Sequence, residues 1–314
     1  MNNFPRAVAA VAVLSGLAGV AIAQSRSGNV AQCADERLSF DVRIDACTTL
    51  IQAKPESSET LAEAFRNRGY LYATRGQFDR GIDDLNQAIK LRTDYAEAFF
   101  NRGVAYRLKG EFDRAIQDFD QATKLKTDYA DALQNRGEAY ADKGDYDRAI
   151  QDYDSAIKLQ VGIALAFTAN SRGYAKFYLG RFSEAAMDLQ RYVDVFGGPG
   201  ALFLHVAKKL GGQDDVKDFG ERVAQLDPKG LSALIGRLFL GQATPGEVLA
   251  AAASGSPEAQ RSQRCEAAFY LGEYALLRQE TAEAVSRLQE ARDSCPKSSP
   301  QYRAAATELK RLGK

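Results

Sequence analysis

The residues that could carry out catalysis are few in this chain. His205 is the only histidine among 314 residues, and it lies between Leu204 and Val206 on a predicted helix. No serine, cysteine or aspartate accompanies it in a recognisable triad motif, so a structural histidine is the favoured interpretation. The many carboxylates are spread along repeating surface positions and predict no tuned acid–base pair. We therefore expect a protein without enzymatic activity, and the alternative of another class is an enzyme with its site in 198–260.

The sequence also predicts no cofactor and no metal. The segment Gly197-Gly198-Pro199-Gly200 is rich in glycine but lacks the Gly-Lys-Ser/Thr ending of a phosphate-binding loop. A linker is therefore the better interpretation of this segment. One histidine cannot supply a multi-histidine metal site.

The four cysteines predict disulfide bonds. They are Cys33, Cys47, Cys265 and Cys295. An even number of cysteines is typical of proteins that fold in an oxidising compartment. Three pairings are possible, and we favour Cys33–Cys47 with Cys265–Cys295 because each pair flanks one helical unit. The alternative is a cytosolic protein with four buried thiols, which requires that the chain is not exported.

The first residues are typical of a secretory signal. Arg6 precedes an apolar run from Ala7 to Ala23, and Ala21-Ile22-Ala23 offers the small-x-small pattern of a cleavage site. The run is short for a membrane span and contains two glycines. We expect cleavage after residue 23, no stable membrane insertion afterwards, and a location in the periplasm of a Gram-negative bacterium. A secreted or N-terminally anchored protein is the alternative.

Charge argues against two classes of partner. Lys and Arg number 41, as do Asp and Glu. Cleavage after residue 23 would remove Arg6 and no acid, which leaves a net charge of about −1. A nucleic-acid-binding protein normally shows clustered basic residues, and a membrane-surface protein a polybasic patch. Neither nucleic acid nor a lipid surface is expected as a partner.

Three sequence markers recur every 34 residues. The first is Asn-Arg-Gly, which begins at Asn67, Asn101 and Asn135. The second is Gly-x-aromatic-Asp-Arg, which begins at 76, 110 and 144, and the third begins with the alanines at 88, 122 and 156. A fourth copy, with Arg172-Gly173, is displaced two residues further. Such a fixed period is the signature of a repeat protein in which each unit packs on its neighbours.

Each unit predicts two helices, and the pattern resembles the tetratricopeptide repeat (TPR) family. The second copy matches the TPR pattern best. It has Phe99, Gly103, Tyr106, Ala115 and Phe119 at the positions that the family fills with small and aromatic residues. This resemblance implies an all-α solenoid of helix-turn-helix units. In the fourth copy, Lys176 replaces an expected aromatic residue.

The repeats set the predicted organisation of the chain. Residues 1–23 form the signal, 24–61 an N-terminal segment with a capping helix, and 62–197 four TPR units (62–95, 96–129, 130–165 and 166–197). Residues 198–314 form an irregular helical region with a TPR-like unit at 265–295. The stretch from Cys265 to Gly272 also resembles the C-terminal unit of NlpI-type TPR envelope lipoproteins, although this chain lacks their lipid-bearing cysteine.

In the TPR family the first helix of each unit lines a groove that receives peptides or partner helices. The resemblance therefore implies a protein partner that presents an extended or helical segment. Helical spacing selects one stripe of residues on these first helices. The predicted groove residues are Glu63, Arg66, Asn67, Tyr70, Glu97, Phe100, Asn101, Arg107, Asp131, Asn135, Glu138, Asp142, Asn170, Tyr174 and Tyr178.

Two alternatives stay open at this stripe. The carboxamides of Asn67, Asn101 and Asn135 can hold the backbone of a ligand, or they can bond to a neighbouring helix. Phe100, Tyr174 and Tyr178 are binding hot spots if they face the groove, and core residues if they pack between units. The acidic residues of the stripe suit a basic or mixed-charge ligand.

These observations predict a non-catalytic periplasmic adaptor that brings envelope proteins together. The resemblance to NlpI-type proteins implies peptidoglycan hydrolases or their proteases as partners, with homodimerisation as a further option. An assembly factor for an envelope secretion or polysaccharide-export machine is the alternative.

Overall fold

The computed structural model describes residues 28–54 and 57–314, and within them it contains helices and no strands. The predicted signal at 1–23 lies outside the described residues. The chain divides into two compact units between Ala139 and Tyr140. None of the helices in the described ranges is both long enough and apolar enough to cross a membrane.

Unit 1 contains a short helix, a single capping helix and the first helix pairs. Its helices are α1 (28–34), α2 (Phe40–Gln52), α3 (Ser58–Thr74), α4 (Phe78–Leu91), α5 (Ala96–Lys109), α6 (Phe112–Leu125) and most of α7 (Ala130–Asp142). Helix α2 packs against α3, α3 against α4, and α5 against both α4 and α6. The first helices α3 and α5 also contact each other directly.

Two glycines of the second repeat, Gly110 and Gly103, each occupy a position where the backbone or the packing favours glycine. Gly110 ends α5 with a φ of 87°, a left-handed conformation that costs glycine little. Gly103 lies inside α5, and a Cβ atom there would come within 2.7 Å of the ring of Phe119. The close approach of α5 and α6 therefore requires glycine at 103, as the repeat predicted.

The arginine of the Asn-Arg-Gly marker ties successive repeats together. Arg102 donates through Nε and Nη2 to both carboxylate oxygens of Asp118, at 2.8 and 2.7 Å. Its Nη1 donates to Oδ1 of Asn86 on the preceding repeat, at 2.6 Å. Arg68 makes the same bidentate pair with Asp84 and reaches Thr48 on α2. Each arginine thus joins the two helices of its own repeat to the helix before them.

The N-terminal cap of unit 1 is held by a disulfide bond. Cys33 and Cys47 are bonded, with a Cα–Cα distance of 4.8 Å, and both side chains are buried. They form a small core with Leu50 of α2 and with Leu71 of α3. The bond fixes the segment that contains α1 against the cap, as the pairing favoured from the sequence predicts.

Unit 2 begins with the end of α7 and continues through the rest of the chain. Its helices are α8 (Tyr146–Leu159), α9 (Gly162–Tyr178), α10 (Phe182–Phe196), α11 (Gly200–Leu210), α12 (Val216–Val223), α13 (Leu231–Phe239), α14 (Pro245–Ala252), α15 (Pro257–Leu277), α16 (Thr281–Ser294) and α17 (Pro300–Arg311). One large apolar core runs through α9–α17. The last helix, α17, packs against α15 and α16 and also against α9, far earlier in the chain.

The two-residue insertion is visible in the contacts of Arg172. This arginine forms a bidentate pair with Asp188, as Arg68 and Arg102 do with Asp84 and Asp118. Arg172 also donates to Asp154 of the preceding repeat, which lies 18 residues earlier in the sequence. The equivalent bond in the third repeat joins Arg136 to Asp120, only 16 residues earlier. Lys176, which replaces an aromatic residue, places Nζ 2.9 Å from Oδ2 of the same Asp188.

The second disulfide bond lies at the predicted place in unit 2. Cys265 and Cys295 are bonded, with a Cα–Cα distance of 4.8 Å. Cys265 lies in α15 and Cys295 directly follows α16. These two helices approach closely at Gly272, where a Cβ atom would come within 2.8 Å of Leu288.

Candidate functional site

The predicted groove residues of unit 1 lie on α3, α5 and α7, and we call this set the A-helix stripe. Helical periodicity places them along one face of each helix. Glu63, Tyr70 and Asp131 are exposed, whereas Asn67 and Asn101 are buried. The remaining members are partly buried, namely Arg66, Glu97, Phe100, Arg107, Asn135 and Glu138.

Two of the three repeated asparagines bond within the chain. Nδ2 of Asn67 donates to Sγ of Cys33 at 3.7 Å, which ties α3 to the segment pinned by the first disulfide. Nδ2 of Asn135 donates to the backbone oxygen of Asp131, one turn earlier on α7, at 2.9 Å. At these two positions the carboxamide serves the protein's own structure.

Phe100 packs inside unit 1. Its ring centroid lies 5.1 Å from that of Tyr129 and 6.0 Å from that of Phe119, in tilted arrangements. Burial raises the pKa of Tyr129, and the carboxylates of Glu97 and Asp131 add to that shift. Phe100 also packs against the cluster that contains Ala139 of α7, so this aromatic residue of the stripe serves packing inside unit 1.

Polar contacts join the three helices of the stripe. Nη2 of Arg107 on α5 lies 2.8 Å from Oε2 of Glu138 on α7. Nε of Arg66 donates to the hydroxyl of Tyr95 at 3.2 Å. These contacts link α5 to α7, and α3 to the residue that precedes α5.

Two large apolar side chains of the stripe stay exposed. Tyr70 on α3 is 42% exposed, and Leu108 on α5 is 51% exposed. Tyr70 is one of the predicted groove residues, and helical spacing from Asn101 places Leu108 on the same face of α5. Exposed apolar side chains flanked by charged residues are typical anchors at protein interfaces.

The predicted groove residues of unit 2 are less exposed to solvent than Tyr70 of unit 1. Tyr178 on α9 is buried, and its hydroxyl donates to the backbone oxygen of Pro300 at 3.3 Å. Asp142 forms an ion pair with Arg303 of α17. Tyr174 packs edge-on against Phe203, and burial raises its pKa to about 12. Asn170 is partly buried.

This arrangement corrects the expectation of an open groove in the fourth repeat. Helix α17 of the same chain lies on the face of α9 that carries Tyr178. The prediction failed there because α17 returns to α9 from more than 120 residues further along the chain. No repeat signal in the sequence predicts such a contact.

His205 lies in a closed environment. It is 2% exposed, and its ring stacks on that of Phe219 with centroids 3.8 Å apart. Its Nδ1 lies 2.8 Å from Oδ1 of Asp215, whose side chain is also buried. The pair links α11 to the residue that precedes α12. In the described residues no cluster of three or more potential metal ligands is present.

A cleft lies between α12 and α13. It has a volume of about 650 Å³, and apolar side chains such as Val216, Val223 and Leu240 form much of its wall. Arg237 at its edge is directed to the backbone oxygen of Pro228.

Comparisons with known proteins identify the repeats. A family model for the TPR repeat matches residues 69–110 and 105–144, and a model for the tetratricopeptide repeat matches residues 130–160. No curated protein sequence matches the chain significantly.

Several solved structures are similar over about half of the chain. A crystal structure of MamA is 29% identical and covers 49% of this chain and 87% of its own, with a TM-score of 0.44. A second MamA structure is 26% identical, with coverages of 55% and 92% and a TM-score of 0.46. A thermophilic TPR protein of Thermus thermophilus, TTC0263, is 17% identical, with coverages of 55% and 89% and a TM-score of 0.42. The family models and the helix pairs together identify an all-α protein that carries tetratricopeptide repeats between residues 69 and 160.

Proposed function

We propose that this protein is a non-catalytic adaptor that binds a segment of another protein on the A-helix stripe of unit 1. TPR repeats typically serve as scaffolds for protein–protein interaction. The observation that carries the proposal is the exposure of Tyr70 and Leu108 on the neighbouring first helices α3 and α5. Side chains of this size would each bury substantial apolar surface under a bound segment.

The charge of the stripe supports a basic or mixed-charge ligand. Acidic residues recur at one register position, as Glu63, Glu97 and Asp131, with the 34-residue spacing of the repeat. Glu63 and Asp131 are exposed, and Glu97 is partly so. A row of carboxylates beside an apolar surface attracts Lys and Arg and disfavours acidic segments.

An exported location and a role in the cell envelope belong to the proposal. The two disulfide bonds are compatible with an oxidising compartment such as the periplasm. On the NlpI-type resemblance, the ligand would belong to an enzyme or protease of peptidoglycan metabolism. Fractionation of cells that express the full chain tests the location. The account requires a mature protein that begins near Gln24 in the periplasmic fraction, and a cytoplasmic full-length protein would contradict it.

Photocrosslinking tests the binding surface directly. A photoreactive phenylalanine analogue is placed at Tyr70 or Leu108, and at Val42 of α2 as a control of similar exposure. We expect crosslinks from 70 and 108 to one and the same Lys- or Arg-rich segment of a partner protein, identified by mass spectrometry. The control position should give none of that product. Equal products from all three positions, or none from 70 and 108, would rule out this surface.

A further inference from the structure

Unit 2 exposes a group of large apolar side chains where α8 ends and α9 begins, and along the outer face of α10. Val161, Ile163 and Met187 are the most open of them, with exposed fractions of 84, 61 and 66%. Scattered exposed apolar residues are ordinary, whereas a group of them marks an interaction surface. We call this group the apolar edge, and it consists of Leu159, Val161, Ile163, Phe167, Met187, Val195 and Phe196.

Short steps connect the members of the apolar edge. Leu159, Val161 and Ile163 lie within five residues of the chain, at the junction of α8 and α9. Phe167 follows Ile163 by one helical turn, on the same face of α9. Its ring centroid lies 5.0 Å from that of Phe196, in the last turn of α10. The exposed side chains of α9 and α10 therefore adjoin.

The earlier repeats are polar where the fourth repeat is apolar. Positions are matched by their distance from the repeated arginine, which is Arg172 in the fourth copy. Phe167 then stands where the second and third copies have Glu97 and Asp131. The same change occurs at three further positions, with Ile163 in place of Thr93 and Thr127, Met187 in place of Gln117 and Gln151, and Phe196 in place of Arg92 and Lys126.

This comparison separates the needs of the fold from those of a surface. The second and third repeats form the same helix pair with polar side chains at these four positions, so the helix pair does not require apolar ones. Apolar side chains that stay in contact with water bring no benefit to an isolated chain. The apolar edge is therefore explained by a partner that covers it.

The size of the apolar edge matches one side of a protein dimer. At about 200 Å² for a whole side chain of this kind, the exposed fractions correspond to roughly 600 Å² of open surface. An interface of standard size buries about 800 Å² on each partner, of which somewhat more than half is apolar. Phenylalanine and methionine are also among the residues enriched at such interfaces.

The charges beside the apolar edge favour a second copy of this chain as the partner. Lys158 precedes Leu159, and Arg191 and Asp194 precede Val195 on α10; all three charged side chains are exposed. Both signs are thus present, so two copies meet without net repulsion, and a basic residue of one copy can pair with an acidic residue of the other. An anionic lipid surface selects clustered basic residues instead.

We propose that the apolar edge is the interface of a homodimer, in which the edges of two copies meet around a two-fold axis. Such an interface is isologous, so each residue of the edge is used twice. The interface is separate from the proposed binding surface, because the edge lies wholly in unit 2 and shares no residue with the A-helix stripe of unit 1.

Analytical ultracentrifugation of the purified full chain tests the dimer. We expect a reversible dimer with a dissociation constant on the order of 1 µM or below. Ile163→Thr with Met187→Gln restores residues that the earlier repeats carry, at positions where the fold does not depend on the side chain. This double variant should raise the dissociation constant about tenfold or more, because each change acts twice in the dimer. The control is Val42→Thr with Val216→Thr, two exposed apolar positions outside the edge, and it should dimerise like wild type.

Three results would overturn the inference. One is a wild-type protein that stays monomeric at concentrations well above the micromolar range. Another is a double variant that dimerises as strongly as wild type, or a control that is weakened as much as the double variant. The third is flotation of wild type, but not of the double variant, with vesicles of phosphatidylglycerol and phosphatidylethanolamine, which would identify a lipid surface as the occupant.

Photocrosslinking in cells locates the interface without removing an apolar side chain. A photoreactive phenylalanine analogue replaces Phe167, and mass spectrometry identifies the attached segment. We expect a covalent dimer in which the analogue is joined to residues 159–196 of a second copy. Attachment to a different protein, or to unit 1 of a second copy, would contradict the inference. Crosslinks from Tyr70 report on the A-helix stripe separately, so a failure at Phe167 leaves the proposed function standing.

Discussion

The guanidinium of Arg102 and the carboxylate of Asp118 form a bidentate pair between the two helices of one repeat, and Arg102 also reaches Asn86 of the repeat before it. Asp118 is almost fully buried, and that burial raises its pKa although Arg102 opposes the shift. The pair recurs as Arg68 with Asp84 and as Arg172 with Asp188. The arginine of the Asn-Arg-Gly marker therefore makes the polar contacts that connect one repeat to the repeat before it.

Loss of the contacts of Arg102 with Asp118 and Asn86 is expected to destabilise unit 1. Arg102→Ala leaves the buried carboxylate of Asp118 without a partner and should lower the free energy of unfolding by about 3 kcal/mol. Arg114→Ala is the control, since that side chain is exposed and its pair with Glu111 should contribute less than about 1 kcal/mol. Urea denaturation followed by circular dichroism measures both. Equal losses for the two variants would contradict the role assigned to Arg102.

The close approach of α5 and α6 at Gly103 predicts that a larger residue there destabilises the protein. In Gly103→Ala the new Cβ atom would come within 2.7 Å of the ring of Phe119, which is fully buried. Overpacking of this kind should cost about 1–3 kcal/mol of stability. Gly220→Ala in α12 meets nothing closer than 4.0 Å and should stabilise by up to about 1 kcal/mol through helix propensity. Thermal unfolding of both variants gives the comparison, and a stabilised Gly103→Ala variant would show that α5 and α6 are further apart.

Glu273 predicts a pH dependence of stability. Its pKa is raised in the folded protein, by burial and by the neighbouring Glu308, whereas Arg311 opposes the shift. The folded state therefore binds more protons than the unfolded state above the ordinary carboxyl value near 4.5, so the free energy of unfolding falls as the pH rises through this range. Glu273→Gln removes this dependence. The variant should be more stable than wild type at pH 8, and the difference should shrink towards pH 4.

Urea unfolding of wild type and Glu273→Gln at several pH values makes this measurement. Glu247→Gln is a suitable control, because the pKa of Glu247 is lowered by its bonds to Thr244 in the capping box of α14. That variant should lose stability relative to wild type at pH 8 and approach it in acid. A Glu273→Gln variant that is less stable than wild type at every pH would mean that the carboxyl group makes a favourable bond.

The first disulfide bond predicts a local effect of reduction. Cys33 and Cys47 close a loop of 14 residues, and loss of such a loop closure costs about 3 kcal/mol. Cys33→Ser with Cys47→Ser should therefore increase hydrogen exchange in α1 and α2 and leave α15 and α16 protected. Cys265→Ser with Cys295→Ser should show the opposite pattern. Exchange that rises equally in both regions of either variant would contradict local stabilisation.

The sequence predicted the structure correctly in the part of the chain that contains the repeats. The 34-residue period predicted the helix pairs from α3 to α10, the glycine at 103 and the insertion before Arg172. Both favoured disulfide pairs are present, although Cys47 lies inside α2 and so does not flank a helical unit as expected. The repeat boundaries between 62 and 197 and the TPR-like unit at 265–295 stay predictions.

Two contacts of the predicted site residues could not be predicted from the sequence, and one pattern visible in the sequence was not used. The contact of α17 with α9 joins segments with no shared pattern, so nothing indicated that Tyr178 would be covered by Pro300. The bond between Asn67 and Cys33 depends on a segment outside the repeats. The pattern is the constant spacing of 16 residues between the arginine of Asn-Arg-Gly and an aspartate, at 68 and 84, 102 and 118, and 172 and 188, which predicts an ion pair between the two helices of a repeat.

The central claim, that the A-helix stripe of unit 1 binds a basic or mixed-charge protein segment, is tested most directly by charge reversal. The partner identified by crosslinking at Tyr70 is titrated with wild type, with Glu63→Lys and Asp131→Lys, and with a control of the same charge change, Asp45→Lys and Asp83→Lys, at exposed positions of α2 and α4 outside the stripe. The account predicts about a tenfold or greater loss of affinity for the stripe variant and little loss for the control. Equal affinity of the two variants would contradict it.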